Sequence, residues 1–363
     1  MALRLGYTLG LHTYNASLTT GPANKETLSR VWWGHYALDT MLATLTGRPS
    51  IGVNKVCSVP LPLPLSSEDI EDDLIKSRYG DAVYSANSIH TRMAPPSNNA
   101  SPNSPDQMIH DRNAPNLDPA NSGSFLKSMV QLGEIAQDAL GMYTEGSTSQ
   151  PWQGVPEAIV GLTDGLKAWT ESLPDAFRFS KPTAYSRPFN ERERNILDIT
   201  YHSTVILITR PCLCRLDRRV TNQPARLNEF NQSSAVTCVE SAKAVARLLP
   251  DSPELDIALL YEAGPWWVMP YTITQSLVVL LLELSYEEIQ LPHDRREIIF
   301  WMKKLVRWLR AMRINNGLAQ RAYVIVMNLL RVLIVTVKMV SEPSTMSVMS
   351  DSFQPYFLSL STS

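Results

Sequence analysis

The residues of this sequence able to do chemistry are few and scattered. Cys212 and Cys214 form a lone C-x-C, and one such pair does not make a zinc site, which takes four ligands. With Cys57 and Cys238 they make four unevenly spaced cysteines, which suits a reducing intracellular compartment and not a disulfide framework. His202 falls in a strongly apolar stretch with no Cys, Asp or second His at ligand spacing. It reads as a structural histidine hydrogen-bonded through one ring nitrogen. Glu68, Asp69, Glu71, Asp72 and Asp73 form an acidic run without histidine, the pattern of a solvated loop or helix start. Lys303, Arg307 and Arg310 share a stripe that is the local candidate for an acid- or phosphate-binding surface, although a charge stripe is more often a helix face in water. No Gly-rich phosphate loop, H-E-x-x-H or G-x-S-x-G is present, so no catalytic residue, metal ligand or cofactor is assigned and the chain reads as a non-enzyme.

The elements that position these residues are organised around Lys25 to Pro64. Val31, His35, Leu38, Leu42 and Leu45 recur at helical spacing, while Trp32, Trp33, Tyr36 and Met41 cover much of the remaining circumference. This helix is expected to be buried on most sides. Thr27 or Ser29 can cap its start, Gly47 supplies a permissive backbone for its stop, and Pro49 forbids continuation. Asp39 lies within the apolar circumference and needs a cation or backbone donors, with Arg48 and Arg30 the nearest cations in sequence.

Helical periods return from Phe125 to Met142, Val155 to Leu173, Arg192 to Arg210, Glu229 to Leu249, Tyr261 to Glu288, Asp294 to Asn315 and Leu318 to Val340. Pro211 is expected to cut its helix at Arg210. No alternating strand run with hairpin turns is found, so the fold class is all-α, an irregular multi-helix bundle over residues 1–340. Residues 85–124, rich in Ser, Asn and Pro, read as a disordered insertion, and residues 341–363 as a Ser-rich tail frayed apart from Phe353, Tyr356 and Phe357.

Composition narrows the function classes. With 363 residues, 44% of them hydrophobic, the chain can bury one large core or two smaller ones. A net charge of -2 gives no basic footprint for phosphate neutralisation, which argues against direct DNA binding by these residues. Pro265 to Leu284 and Ala322 to Val340 approach membrane-span length, but Pro270, Gln275, Asn328, Arg331 and Lys338 interrupt them. Helices of a bundle, with no membrane, are the expected reading.

A succession of motifs then resembles the middle homology region of fungal-specific transcription factors. Ala2 to His12 is similar to that family's short helix ending in Leu-Gly-Leu-His. Arg30, Trp32, Trp33, Tyr36, Leu38 and Asp39 are similar to its Arg-x-Trp-Trp helix with a closing aspartate. Gly47, Arg48 and Pro49 match its Gly-Arg-Pro turn, Val59 to Pro62 its Val-Pro-Leu-Pro segment, and Tyr201, His202, Arg210 and Pro211 its Tyr-His helix running into Arg-Pro. Where the family often has an acidic residue before Val-Pro-Leu-Pro, this chain has Cys57 and Ser58.

The resemblance implies a transcription regulator of the fungal nucleus, acting on a metabolic or biosynthetic gene set. The zinc binuclear cluster and the front of the family domain are expected to be missing from this chain, so zinc and DNA-binding enter only through the family and DNA contact would be indirect. Expected partners are a homo- or heterodimer with a related factor or co-regulator, and a small-molecule effector. The alternative is a non-enzymatic helical accessory or membrane-associated protein. Asp39, Arg48 and the Trp32-Trp33 pair are expected to fix the central helix, so that Asp39→Ala unfolds or derepresses the domain.

Overall fold

A computed structural model describes residues 2–13, 20–48, 50, 57–79, 118–144, 154–179, 188–214, 225–285, 295–340 and 353. Among the described residues there are helices and no strand, as an all-α chain requires. In chain order they are α1 (Ala2–Thr8), α2 (Pro22–Thr46), α3 (Asp72–Tyr79), α4 (Ser122–Thr144), α5 (Val155–Ser172), α6 (Pro188–Cys214), α7 (Ala225–Leu248), α8 (Pro253–Ala263), α9 (Met269–Ser285), α10 (Arg295–Met312) and α11 (Gly317–Val340). They form two compact units. The first comprises Met1–Gln137 and Lys167–Asn190, the second Asp138–Leu166 and Glu191–Ser363.

In the first unit α2 supplies the core, but through a different face from the one its leucines suggest. Trp32, Trp33 and Tyr36 are each 1% exposed and pack with Leu3, Val59 and Val130, while Glu26, Ser29, Thr40 and Ala43 share their buried side. Leu28, Val31, Leu38 and Leu42 are exposed, so the expectation of a helix buried on most sides is corrected. The reason is that both faces of α2 are apolar, and periodicity cannot rank two apolar faces. What fixes the choice is the extended segment 57–65, whose carbonyls satisfy polar groups on the tryptophan side.

The ends of α2 also depart from expectation at the start and agree with it at the stop. The helix begins at Pro22 after Gly21, earlier than Thr27 or Ser29, and Gly21 has no side chain to cap it. Asp72, at the start of α3, accepts the Ala23 N–H at 2.7 Å and does the capping from 49 residues away. A Cβ on Gly21 would collide with that carboxylate, so the glycine is a close-approach position. At the other end Gly47 takes φ 64° and its N–H returns to Ala43 O. Pro49 lies outside the described residues.

Residues 118–124, placed by sequence in the insertion, are instead ordered at its rear edge. Asn121 is the N-cap of α4, its Oδ1 accepting from Gly123 N (3.1 Å) and Ser124 N (3.0 Å). The rest of the predicted insertion, 85–117, lies outside the described residues.

The second unit holds the larger core. Small side chains on α7 (Ala235, Cys238, Ala242, Ala246) allow close approach to α9, and α9 is buried along Met269, Ile273, Leu277 and Leu280. Trp308 of α10, fully buried, donates from Nε1 to Pro250 O at 2.8 Å. Phe353 sits in the same core, and the remainder of 341–363 lies outside the described residues.

Two prolines fall at helix ends, and the first departs from expectation. Pro211 does not cut α6 at Arg210: the helix continues to Cys214, because one lost N–H in the last turn still leaves the flanking helical bonds. Pro253 starts α8 at its first turn, where the missing N–H is not needed. Only one face of α11 enters the core, through Ala319, Tyr323, Val326, Met327 and Leu330; Leu318, Ile325, Leu329 and Val332 are exposed. Among the described residues α11 is the one helix long and apolar enough to cross a membrane, by length and composition, and a third of its apolar window Gly317–Ile334 is buried.

Candidate functional site

The signature residues divide between the two units. Arg30, Trp32, Trp33, Asp39, Gly47 and Arg48 belong to the first unit; Tyr201, His202, Arg210 and Pro211 belong to the second.

In the first unit they build a clamp on an extended, proline-punctuated strap. Glu26 is fully buried, and one of its oxygens, Oε1, accepts from both Arg30 Nε (2.7 Å) and Leu63 N (3.0 Å). Arg30 Nη2 then donates to Leu63 O (3.2 Å) and Leu65 O (2.8 Å), and Nη1 reaches Ser67 Oγ at 3.4 Å. Trp33 Nε1 and Ser29 Oγ both donate to Pro60 O, at 2.7 and 2.8 Å. The proline-rich strap has few N–H groups of its own and many carbonyls, so a helix face presenting donors is what can hold it.

Gly123 closes the clamp from α4. Its N–H donates to Leu65 O at 3.0 Å, and a Cβ there would collide with Leu63 O and lie 2.6 Å from Leu65 O and 2.7 Å from Arg30 Nη2. Gly133, further along α4, likewise leaves room for Thr40 of α2, whose Oγ1 would lie 2.7 Å from a Cβ.

The pairing expected for Asp39 is corrected by this geometry. Arg30 is committed to Glu26 and the strap, and the Asp39 carboxylate accepts from Ser50 Oγ. Arg48 is exposed, and its backbone N–H returns to Ala43 O at 3.2 Å. Trp32 has a different role from Trp33: its ring meets Tyr7 edge-on at 5.1 Å and His12 at 5.8 Å, so it docks the short α1 and the turn at Gly10, φ 71°.

In the second unit Arg210 joins α4 and α6. Its Nε lies 3.1 Å from Tyr143 Oη with the guanidinium over the Tyr143 ring, and Tyr143 Oη donates to Leu207 O at 2.6 Å. Burial pushes the Tyr143 hydroxyl up to about 12, so it stays a neutral donor. His202 Nε2 stands 3.3 Å from Asp198 Oδ1, one helical turn earlier. Sequence reading had found no aspartate at such spacing, and this is corrected; two groups on one turn remain a structural pair. Tyr201 packs edge-on against His202 at 5.1 Å, with its hydroxyl raised by burial and by Asp198.

Among the described residues no group of three or more His, Cys, Asp or Glu side chains is placed to hold a metal ion. The thiols of Cys212 and Cys238 are buried, Cys214 is exposed, and burial raises the Cys214 thiol and pushes that of Cys238 up to about 12. These cysteines do not fit a zinc cluster. What the arrangement does chemically is satisfy buried polar groups and lock helices to loops.

Three participants were missed in the sequence. Glu26 stands four residues before Arg30, a legible helical pair that the proposed Asp39 partnership obscured. Asn121 precedes Ser122 and Gly123 in a cap pattern hidden by the polar composition around it. Asp72 gave no local signal, since its partner lies at the start of α2.

Comparison with known proteins adds a family. Residues 1–150 match the model of the fungal specific transcription factor domain. The chain is 25% identical to the transcription regulator galc of Aspergillus niger, over 89% of this chain and 42% of that protein. It is 23% identical to transcription factor FBD3 of Fusarium pseudograminearum, over 77% of this chain and 34% of that protein. It is also 23% identical to an ABC-transporter-regulating transcription factor of Aspergillus fumigatus, over 81% of this chain and 28% of that protein. The chain spans less than half the length of these relatives. No solved structure matches.

Proposed function

We propose, from the premise that residues 1–150 of this chain are a fungal specific transcription factor domain and that its relatives are fungal transcription regulators, that the chain acts in the nucleus as the helical regulatory part of such a regulator. The observation that carries the reading is that the matched segment contains the whole Glu26–Arg30–strap clamp, from α2 to Gly123. The matched segment therefore carries the polar lock of the first unit. One further feature supports the reading: a net charge of -2 suits a part that works through partners more than one that grips phosphates. Its partners are a related factor or co-regulator, with DNA reached through them and no membrane, and an effector small molecule biases the packing of its helices.

Deletion of the coding sequence in the source fungus, followed by transcript profiling, tests this together with imaging of a tagged chain. A coherent set of transcripts changing and a nuclear signal are expected. An unchanged transcript profile, or a tagged chain retained in an alkali-resistant membrane pellet, overturns the reading.

A further inference from the structure

The side of α2 turned away from its core is apolar in a pattern that the first unit does not use. Leu28, Val31, His35, Leu38, Leu42 and Leu45 follow one another at spacings of three, four, three, four and three. Of these, Leu28, Val31, Leu38 and Leu42 are between 41% and 57% exposed. Single exposed leucines are ordinary, but a line of them in one register along a 25-residue helix is not. A strict three-four alternation repeats every seven residues, and 3.5 residues per turn is the period of a seam between two supercoiled helices, narrower than the face a helix lays on a globular core. What fits this line is another helix with the same spacing.

That other helix can be α2 itself. The six positions have the same spacing from either end, so in an antiparallel two-fold pair Leu28 meets Leu45, Val31 meets Leu42 and His35 meets Leu38 of the second copy, and every layer contains a leucine. A parallel pair would put both His35 rings in one layer and leave two polar groups to be satisfied in an apolar seam. Beside the seam the antiparallel register sets Gly34 against Met41 of the second copy. A Cβ on Gly34 would meet nothing within 4 Å, so there is room for that side chain. The basic residues near the two ends of the helix, Lys25 and Arg48, fall against Thr46 and Thr27 of the second copy and not against each other.

We propose that two copies of this chain associate through the leucine face of α2, antiparallel about a two-fold axis that passes between the levels of His35 and Leu38. The seam from Leu28 to Leu45 is about 26 Å long at about 1.5 Å per residue and one helix, about 10 Å, wide. That contact is smaller than the roughly 800 Å² per partner of a standard interface, so the dimer is transient, with a dissociation constant on the order of 10–100 μM. Dilute protein is monomer, and the core of the first unit is then measured apart from the seam. Where two chains are held side by side, effective concentrations in the millimolar range make such a contact sufficient. The proposal gives the related partner suggested above a surface, and it rests on that reading only for its biological meaning: association is measured on purified protein and transcription in the fungus, so either can fail alone.

Sedimentation velocity of the purified full chain, from about 1 to about 300 μM, tests it. Monomer at the low end and dimer at the high end are expected. Leu38→Glu should weaken association by at least about tenfold, and Leu28→Glu and Leu45→Lys should each weaken it about tenfold with helix content unchanged. Leu28→Glu and Leu45→Lys combined in one chain should associate about fivefold more tightly than either single variant, because the antiparallel pair sets the new carboxylate opposite the new ammonium twice, whereas a parallel pair opposes like charges. Ile325→Glu with Leu329→Glu, on the exposed side of α11, should change association less than about twofold. Monomer throughout the range, a dimer that survives Leu38→Glu, a dimer lost through the α11 substitutions, or a combined variant no tighter than the single ones overturns the proposal. The parent's concentration series and the combined variant decide the matter even if Leu38→Glu fails to fold.

Discussion

At the scale of single residues, Glu26 and Arg30 hold α2 of the first unit to the strap. A buried ion pair adds little net stability over an apolar pair, but removing one partner strands a charge, at a cost of about 3–5 kcal/mol. Arg30→Ala is therefore expected to destabilise by about that amount, since it also removes one donor from each of Leu63 O and Leu65 O. Chemical denaturation of the variant checks this, and a loss below about 1 kcal/mol would contradict it.

Glu283 gives a second residue-scale prediction, this time in pH. It is 2% exposed on α9, its Oε1 has no hydrogen-bond partner, and burial pushes its carboxyl up to about 7. A carboxyl raised above its unfolded value binds its proton more tightly when folded. The associated stability is thus full below about pH 4.5 and is lost as pH rises through 7. Glu283→Gln keeps a neutral side chain at every pH, so it should stabilise the second unit at pH 8, by up to about 3 kcal/mol, and make little difference at pH 4.5. Melting temperatures at the two pH values measure this; a variant less stable than the parent at pH 8 would refute it.

At the scale of elements, the helices were legible and their orientation was not always so. In α10 the apolar pattern is one-sided, and Leu305 and Met312 on that side are buried. In α2 both sides are apolar, and the buried side carries Glu26, Ser29 and Thr40, which a sequence pattern counts against burial. Only the strap makes that burial affordable, and nothing local to α2 announces the strap. Pro253 begins α8, because proline stops a helix on one side and starts one on the other. The clamp itself was half legible: Trp33 and Arg30 were picked out, whereas the carbonyls they bind belong to residues whose side chains say nothing about it. Leu38→Ser with Leu42→Ser, on the exposed side of α2, should shift stability by less than about 1 kcal/mol, while Trp33→Ala should cost about 3–5. A severe loss from the serine pair, measured by the same denaturation, would restore the leucine face to the core.

At the scale of the whole molecule, the two units have separate cores and separate polar locks: Glu26 with Arg30 in one, Arg210 with Tyr143 in the other. Amide exchange should show this directly. Arg30→Ala is expected to speed exchange in α2 and at the start of α4, and to leave α7, α9 and α10 protected. Equal loss of protection in α9 would mean that the molecule opens as one cooperative body.

The clamp also dictates an order of events on the ribosome. Its carboxylate is supplied at position 26 and its lid at position 123, so the first tryptophan helix must wait for almost a hundred further residues to be synthesised before its buried charge is fully enclosed. A nascent chain stalled short of that glycine presents an unfinished polar socket, and that interval is when a chaperone has most to recognise.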